Sequence, residues 1–492
     1  MRPPTMLTLT PTPRRSGETT RDAWLTLGLL AVFLANGRAI GGGDTMPAAL
    51  LQVALVRGDG LTLDRLAWAI RTETDAVPGY CSESRGHVVS RYPIGPALTT
   101  IPFAWISIVW LDHTRPGWDA PTRDPSAFLE TVRHLGKLNA ALVAALAVGL
   151  LPGLLRRLEL HEGISIAVVA LGLGSGVWPT ASQALWQHGP AIFWLMVALR
   201  ALIPPGGIGE SPQHGLTTTR LAVAGGATAL MVMCRPIDLL FAAVIAGWVV
   251  ISSPARAGLR RWGGVWRPFG LTRSRPFWAT AGLLGLAWCG YNLWFFDSLN
   301  GGYAEIEKMH PWAHGLKGTW TGSLLWGGLG TLVSPSHGLL IHCPWVVPAL
   351  ALLPRVWNRL PSWNATPIRA LLAVGLPLNF LALAKYSCWW GGHCFGARFW
   401  IDATPLFVIA LAAVRTAAMP SNNPCLQSYP LIDRRWRWLL IVTLAAAVWV
   451  HGVAFWRYPT SWHANPTNVD RDHARLWDWF DTETTRALTE PW

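Results

Sequence analysis

The residue best placed for chemistry is Asp44, in the run GRAIGGGDTMPAALL, where three glycines precede a carboxylate at the outer end of the first apolar segment. A carboxylate at the mouth of a membrane helix is costly unless it is paired, hydrated or used. Glycines beside it let another group approach the backbone closely. The same GDTMP spacing also fits Asp44 as the N-cap of a following helix, so a proton acceptor and a cap both stand as readings. In SRGHVVSRYPIGPAL, Arg91 comes just before Tyr92-Pro93. Its planar fork of donors suits a phosphate; an interfacial arginine reaching toward headgroups is the structural alternative.

Four more stretches carry polar groups that packing does not require. SQALWQHGPAIFW places Gln187 and His188 at a helix end ahead of Gly189-Pro190, a position for a proton carrier, a sugar-hydroxyl ligand or an idle helix terminus. CRPIDLL sets Arg235 and Asp238 between two apolar segments, where an internal salt bridge is expected. VSPSHGLLIHCP brings Ser334, Ser336 and His337, but no Ser/His/Asp set has a recognisable spacing, so a hydrolase triad is unsupported. YSCWWGGHCFGARFWIDATPLF crowds Trp389, Trp390, His393, Arg398 and Asp402 into one loop and helix lip, and a binding loop is expected there. Arg398 suits a lipid phosphate, with Asp402 as its partner four residues on. The Trp389-Trp390 and Trp477/Trp479 pairs offer flat faces for a sugar, beside the simpler reading of interfacial belts.

These residues need a scaffold, and the hydropathy supplies one. A spanning helix takes about 20 mainly apolar residues. Eleven segments qualify or nearly do, at about 23–40, 136–154, 163–181, 187–203, 219–234, 236–252, 278–296, 337–353, 367–385, 401–418 and 438–456. Segment 93–111 is apolar too, but its YPIGP start predicts a helix lying along the membrane, and 320–333 is short and Gly-rich. Arg156-Arg157, the run from Arg256 to Arg275, Arg355/Arg359 and Arg434, Arg435, Arg437 fall in alternate gaps. Positive charge collects on the cytoplasmic side, so residues 1–22 form a cytoplasmic tail, 23–456 a membrane domain and 457–492 an external C-terminal tail. The long gap 41–134 and the loop 386–400 then lie outside, where the unusual polar residues converge.

Composition excludes a soluble domain. Of 492 residues, 51% are hydrophobic and 14% charged, against about 25% charged in an ordinary soluble chain. The net charge of +13 is dispersed through short gaps and not gathered into a basic domain, so no nucleic-acid partner is expected. The seven cysteines include no CxxC pair and no zinc-ligand spacing. No metal or cofactor is expected, since no paired acidic motif supports a divalent ion; a Cys388–Cys394 disulfide is left open.

The ordered motifs GGGDTMP, GHVVSRYPIGPAL, WQHGPAIFW, NLWFFDSLNGGY, SPSHGLL and WWGGHCFGARFWIDATP resemble those of the GT-C class of membrane glycosyltransferases. The likeness is to bacterial relatives of the protein mannosyltransferase and aminoarabinose transferase group, from Asp44 to Asp402. The resemblance implies an all-α polytopic fold with external juxtamembrane helices in the bacterial cytoplasmic membrane. It also implies a polyprenyl-phosphate sugar donor from the lipid and a glycan, lipid or protein acceptor from outside. Asp44 matches the acid that activates the acceptor hydroxyl, and Arg91 the basic residue near the donor phosphate, with Arg398 a second phosphate ligand. Tyr92, Gln187, His188, Arg235, Asp238, Tyr303, Glu305, His337, Trp389, Trp390, His393 and Asp402 are the expected substrate contacts. Asp44 lacks the neighbouring acid of many relatives, and the tail is short where they often carry a large external domain. A lipid or solute transporter and a non-catalytic membrane assembly protein are the alternatives. One-sided clustering of polar groups, without a repeat, is unlike the midplane sites of alternating-access folds.

Overall fold

The computed structural model describes residues 16–204, 216–252, 273–309, 318–357, 366–417 and 434–489. Arg2, Arg14, Arg15, Arg256, Arg260, Arg261, Arg267 and Arg359, which orient the expected topology, lie outside them. The chain is mostly helical. Among the described residues, three helices are long and apolar enough to cross a membrane: Pro125–Arg157, Ile368–Lys385 and Arg434–Trp456. Shorter apolar helices include His188–Leu202, Thr218–Cys234, Leu324–Val333 and Thr404–Ala417. They mark a membrane protein by length and composition.

Two of the eleven expected segments are not continuous helices. Segment 163–181 divides into Ile164–Gly172 and a π-helical turn at Val177–Ala181. Segment 337–353 divides into Leu339–His342 and Val346–Val356 around Pro344. Breaks of this kind open the backbone where side chains have to be aimed inward.

The helices pack in series. Ser16–Leu34 lies against Pro125–Arg157, which packs on His188–Leu202; that helix packs on Thr218–Cys234, and Thr218–Cys234 on Arg275–Phe296. Thr404–Ala417 runs through the main core, with Pro405 to Val414 all buried, against Val346–Val356 and Ile164–Gly172. By contrast Trp105, Ile106 and Trp110 on Gly95–Thr114, Leu283 and Leu286 on Arg275–Phe296, and Ile441, Val442 and Trp449 on Arg434–Trp456 are exposed. Apolar side chains facing outward in such number are what a lipid-facing surface carries.

The first long gap is folded. Met46–Arg57 and Gly95–Thr114 pack together over a second core. Between them an antiparallel hairpin, Cys81–Ser84 with His87–Ser90, is an addition to the all-α expectation. Its two-residue turn puts Arg85 at φ 53° and Gly86 at φ 80°, the twist that a tight hairpin needs. Gly95 is required where this unit meets the helix array, because a Cβ there would stand 2.4 Å from the Cys234 backbone nitrogen.

Candidate functional site

The expected external loops converge on one cavity of about 680 Å³. It is lined by the Ile40–Asp44 turn, Tyr92, Trp186–His188, Arg235–Ile237, Tyr303, residues of the 386–399 region and, from the C-terminal segment, Tyr458, Thr460, His463 and Asp470. That volume lies within the about 300–1,000 Å³ of small-molecule sites.

Asp44 lines it, and its Oδ2 accepts a hydrogen bond from Arg398 Nη1 at 2.7 Å. The N-cap of Met46–Arg57 is Thr45, not Asp44, which removes the capping reading. Arg398 is held flat, its guanidinium carbon 4.7 Å from the Trp186 ring centre and 5.4 Å from that of Phe399. The expected Arg398–Asp402 pair does not form. The short 3-10 turn Arg398–Trp400 aims the arginine at the cavity while Asp402 turns into the protein.

Asp402 pairs instead with Arg235, and its Oδ1 lies 3.1 Å from His188 Nδ1. Arg235 Nη1 stands 2.7 Å from the same ring nitrogen. This replaces the expected Arg235–Asp238 bridge. Arg235 closes Thr218–Cys234 in an extended conformation (φ −145°), as a residue before proline prefers, and its guanidinium pairs with Asp402. Asp238 is buried outside the cavity lining, and its Oδ1 has no hydrogen-bond partner among the described residues. Phe399 lies between the two arginines, 5.2 Å from the Arg235 guanidinium carbon. Two ion pairs thus flank one aromatic ring, a desolvated arrangement that is stable only while each charge keeps its partner.

Tyr303 donates through its hydroxyl to Gln187 Oε1 at 2.8 Å and meets the Tyr92 ring edge-on. All three border the cavity. Arg91 does not. Its Nε donates to Glu305 Oε2 at 2.7 Å and its Nη1 to the Gly79 carbonyl at 2.8 Å. The group expected beside a donor phosphate is thus paired with Glu305, and neither residue lines the cavity. Gly302 makes this packing achievable, since a Cβ would lie 2.4 Å from the Arg91 backbone.

The tryptophan pair is likewise structural. Trp390 is buried and donates through Nε1 to Asp470 Oδ1 at 2.9 Å, while Trp389 packs on Trp477. With Cys388, Trp462, Val469 and Leu476 they form the core that seats the C-terminal segment. Cys388 and Cys394 are free thiols. His393 does border the cavity, with Nε2 3.1 Å from Asp470 Oδ2. The Asp470 hydrogen bond raises the imidazole above its ordinary value against the effect of burial. His337 lies behind the wall, bonded through Nδ1 to the Gly396 carbonyl at 3.0 Å.

No family model, curated protein or solved structure matches this chain. What the site can do is a question of its own side chains. They offer the carboxylates of Asp44, Glu307 and Asp470 and the guanidiniums of Arg235 and Arg398 at a partly apolar cavity, with aromatic walls and a tyrosine–glutamine pair. Sequence reasoning missed Tyr458, His463 and Asp470, although the polar run SWHANPTNVDRDH is conspicuous in so apolar a chain. It also missed the wall residues Trp186, Tyr386 and Phe399. For a metal, His337, His463 and Glu483 form a buried group of ligand types.

Proposed function

We propose that the chain is a GT-C-like integral-membrane glycosyltransferase of the bacterial cytoplasmic membrane. It takes a sugar from a polyprenyl-phosphate donor and passes it to an acceptor on the external side, with the N-terminus inside and the C-terminal segment outside. The observation that carries this reading is the Asp44–Arg398 ion pair in the lining of a cavity walled by Trp186 and Phe399.

Transfer from a sugar phosphate needs a base for the incoming hydroxyl and positive charge for the departing phosphate. Asp44 and Arg398 have those two properties and are hydrogen-bonded to each other. A donor phosphate competes for Arg398, and each arginine–anion contact it makes loosens the grip on Asp44. The freed carboxylate then takes the proton of the acceptor hydroxyl as its oxygen bonds to the anomeric carbon. The bond from that carbon to the phosphate oxygen breaks, and polyprenyl phosphate leaves with the electron pair. Arg235, at the same wall, adds positive charge without moving from Asp402. Aromatic rings nearby suit the C–H faces of a sugar.

The test is transfer of radiolabelled sugar from a panel of polyprenyl-phosphate donors in membranes, with wild type and Asp44→Asn compared. Transfer by wild type and loss of at least about 100-fold in the folded variant is expected. Equal transfer by both removes Asp44 from the reaction, and no transfer from any donor returns the chain to the transporter and assembly readings.

A further inference from the structure

His337, His463 and Glu483 each present one ligand atom, and these atoms lie within 4.8 Å of one another in a buried pocket behind the cavity wall. His337 precedes the short helix Leu339–His342, whereas His463 and Glu483 come from the C-terminal segment. His337 Nε2 is buried without a hydrogen-bond partner among the described residues, and His463 Nε2 also lies 3.3 Å from the Cys394 carbonyl oxygen. His463 Nε2 stands 2.8 Å from Glu483 Oε1.

The surroundings are those of ligands already oriented. His337 Nδ1 is bonded to the Gly396 carbonyl at 3.0 Å, which leaves Nε2 as the free lone pair. The Gly396 N–H donates to the other oxygen of Glu483, Oε2, at 2.8 Å. Metal-bound histidines and carboxylates commonly have their second atoms fixed by backbone partners in this way.

Charge and hydrogen-bond satisfaction discriminate between a proton and an ion. A buried carboxylate needs a cation or a full set of donors. A proton held between His463 and Glu483 neutralises the carboxylate, but His337 Nε2 remains unpaired. A divalent ion engages all three ligand atoms at once. Two imidazoles and one carboxylate are a donor set that suits zinc and other first-row metals. Ligands about 2.0–2.2 Å from one tetrahedral ion lie roughly 3.3–3.6 Å from each other, so the group has to close by up to about 1.5 Å.

We propose that His337, His463 and Glu483 form a divalent transition-metal site, with zinc the best match. The site is a staple: it fastens the C-terminal segment to the helix array and to Gly396. Since His463 also borders the cavity, the staple fixes the wall that Tyr458 and Asp470 share. This inference does not depend on the transferase reading.

The experiment uses the full chain purified in detergent without chelators, with metal content measured by mass spectrometry. Near one equivalent of zinc per chain is expected in wild type, and under a tenth in His337→Asn and in Glu483→Gln. Stripping wild type with a chelator should lower the thermal midpoint, and added Zn²⁺ should restore it. Co²⁺ loading should give the visible absorption of a low-symmetry site with nitrogen and oxygen ligands. Wild-type measurements stand by themselves if either variant fails to fold. A wild-type chain that holds no metal and whose midpoint is unmoved by chelator, Zn²⁺ and Co²⁺ overturns the proposal in favour of a shared proton, as does full metal content in both variants.

Discussion

Asp44 and Arg398 stand 354 residues apart in sequence, yet Oδ2 of one lies 2.7 Å from Nη1 of the other in the lining of the cavity. The arginine lies over the Trp186 ring, and Gly41–Gly43, which precede the aspartate, line the same cavity. A planar guanidinium is needed for that stacking, and a lysine cannot supply it.

Arg398→Lys is therefore expected to keep the charge opposite Asp44 but lose the seat on Trp186. Under the transferase reading, transfer should fall by about 10-fold or more, with KM for the donor rising further than kcat falls, as for a lost binding contact. Steady-state kinetics with varied donor check this; kcat and KM both unchanged would remove Arg398 from the phosphate site.

The Arg235–Asp402 pair makes a separate demand. Asp402→Asn leaves a buried arginine without its counter-charge, and a loss of about 3 kcal/mol is expected. Arg235→Met combined with Asp402→Leu removes both charges and should recover most of it. A thermal double-mutant cycle measures the coupling. Additive losses from the two single changes would show that the pair contributes no joint stabilisation.

Asp64 ties the hairpin to the segment before it. Burial works against its ionisation, but His87 Nδ1 and the Val88 N–H, each 2.7 Å away, outweigh it and hold the carboxyl below its ordinary range. A group whose folded value is depressed stabilises fully above its unfolded value and loses that contribution as pH falls through the folded one. Hydrogen exchange across residues 81–90 should therefore quicken below about pH 4 in wild type more than in Asp64→Asn. The same acid response in both proteins would count against the assignment.

Gly302 and Gly290 provide a matched steric comparison. A Cβ on Gly302 meets the Arg91 backbone at 2.4 Å, whereas one on Gly290 meets nothing within 4 Å. Gly302→Ala should cost about 1–3 kcal/mol by overpacking. Gly290→Ala, inside Arg275–Phe296, should be neutral or stabilising by up to about 1 kcal/mol. Thermal midpoints in detergent separate the two; equal shifts would mean that the Gly302–Arg91 approach is not tight.

Much of the architecture was legible because hydropathy and helix length are local properties. The runs near 136–154, 367–385 and 438–456 correspond to the three helices long and apolar enough to span. The motif-bearing turns around Asp44, Tyr92, His188, Arg235 and Arg398 could be recognised from polar residues placed where lipid-facing packing does not need them. Helix breaks such as Val177–Ala181 were not legible, because an apolar run reads alike whether or not its hydrogen-bond ladder is interrupted.

By itself, then, the sequence determined a mostly helical membrane chain and the neighbourhood of its polar turns, since both follow from residue type over about 20 positions. Only the tertiary structure decided who pairs with whom. Spacing suggested Arg398 with Asp402 and Arg235 with Asp238, but packing gave Asp44 to Arg398 and Asp402 to Arg235. It also placed Arg91 against Glu305 and brought a C-terminal segment read as a tail into the cavity wall. Ionic and aromatic contacts depend on separation in space, and for these residues that separation is set by helices packing in series, which no local pattern records.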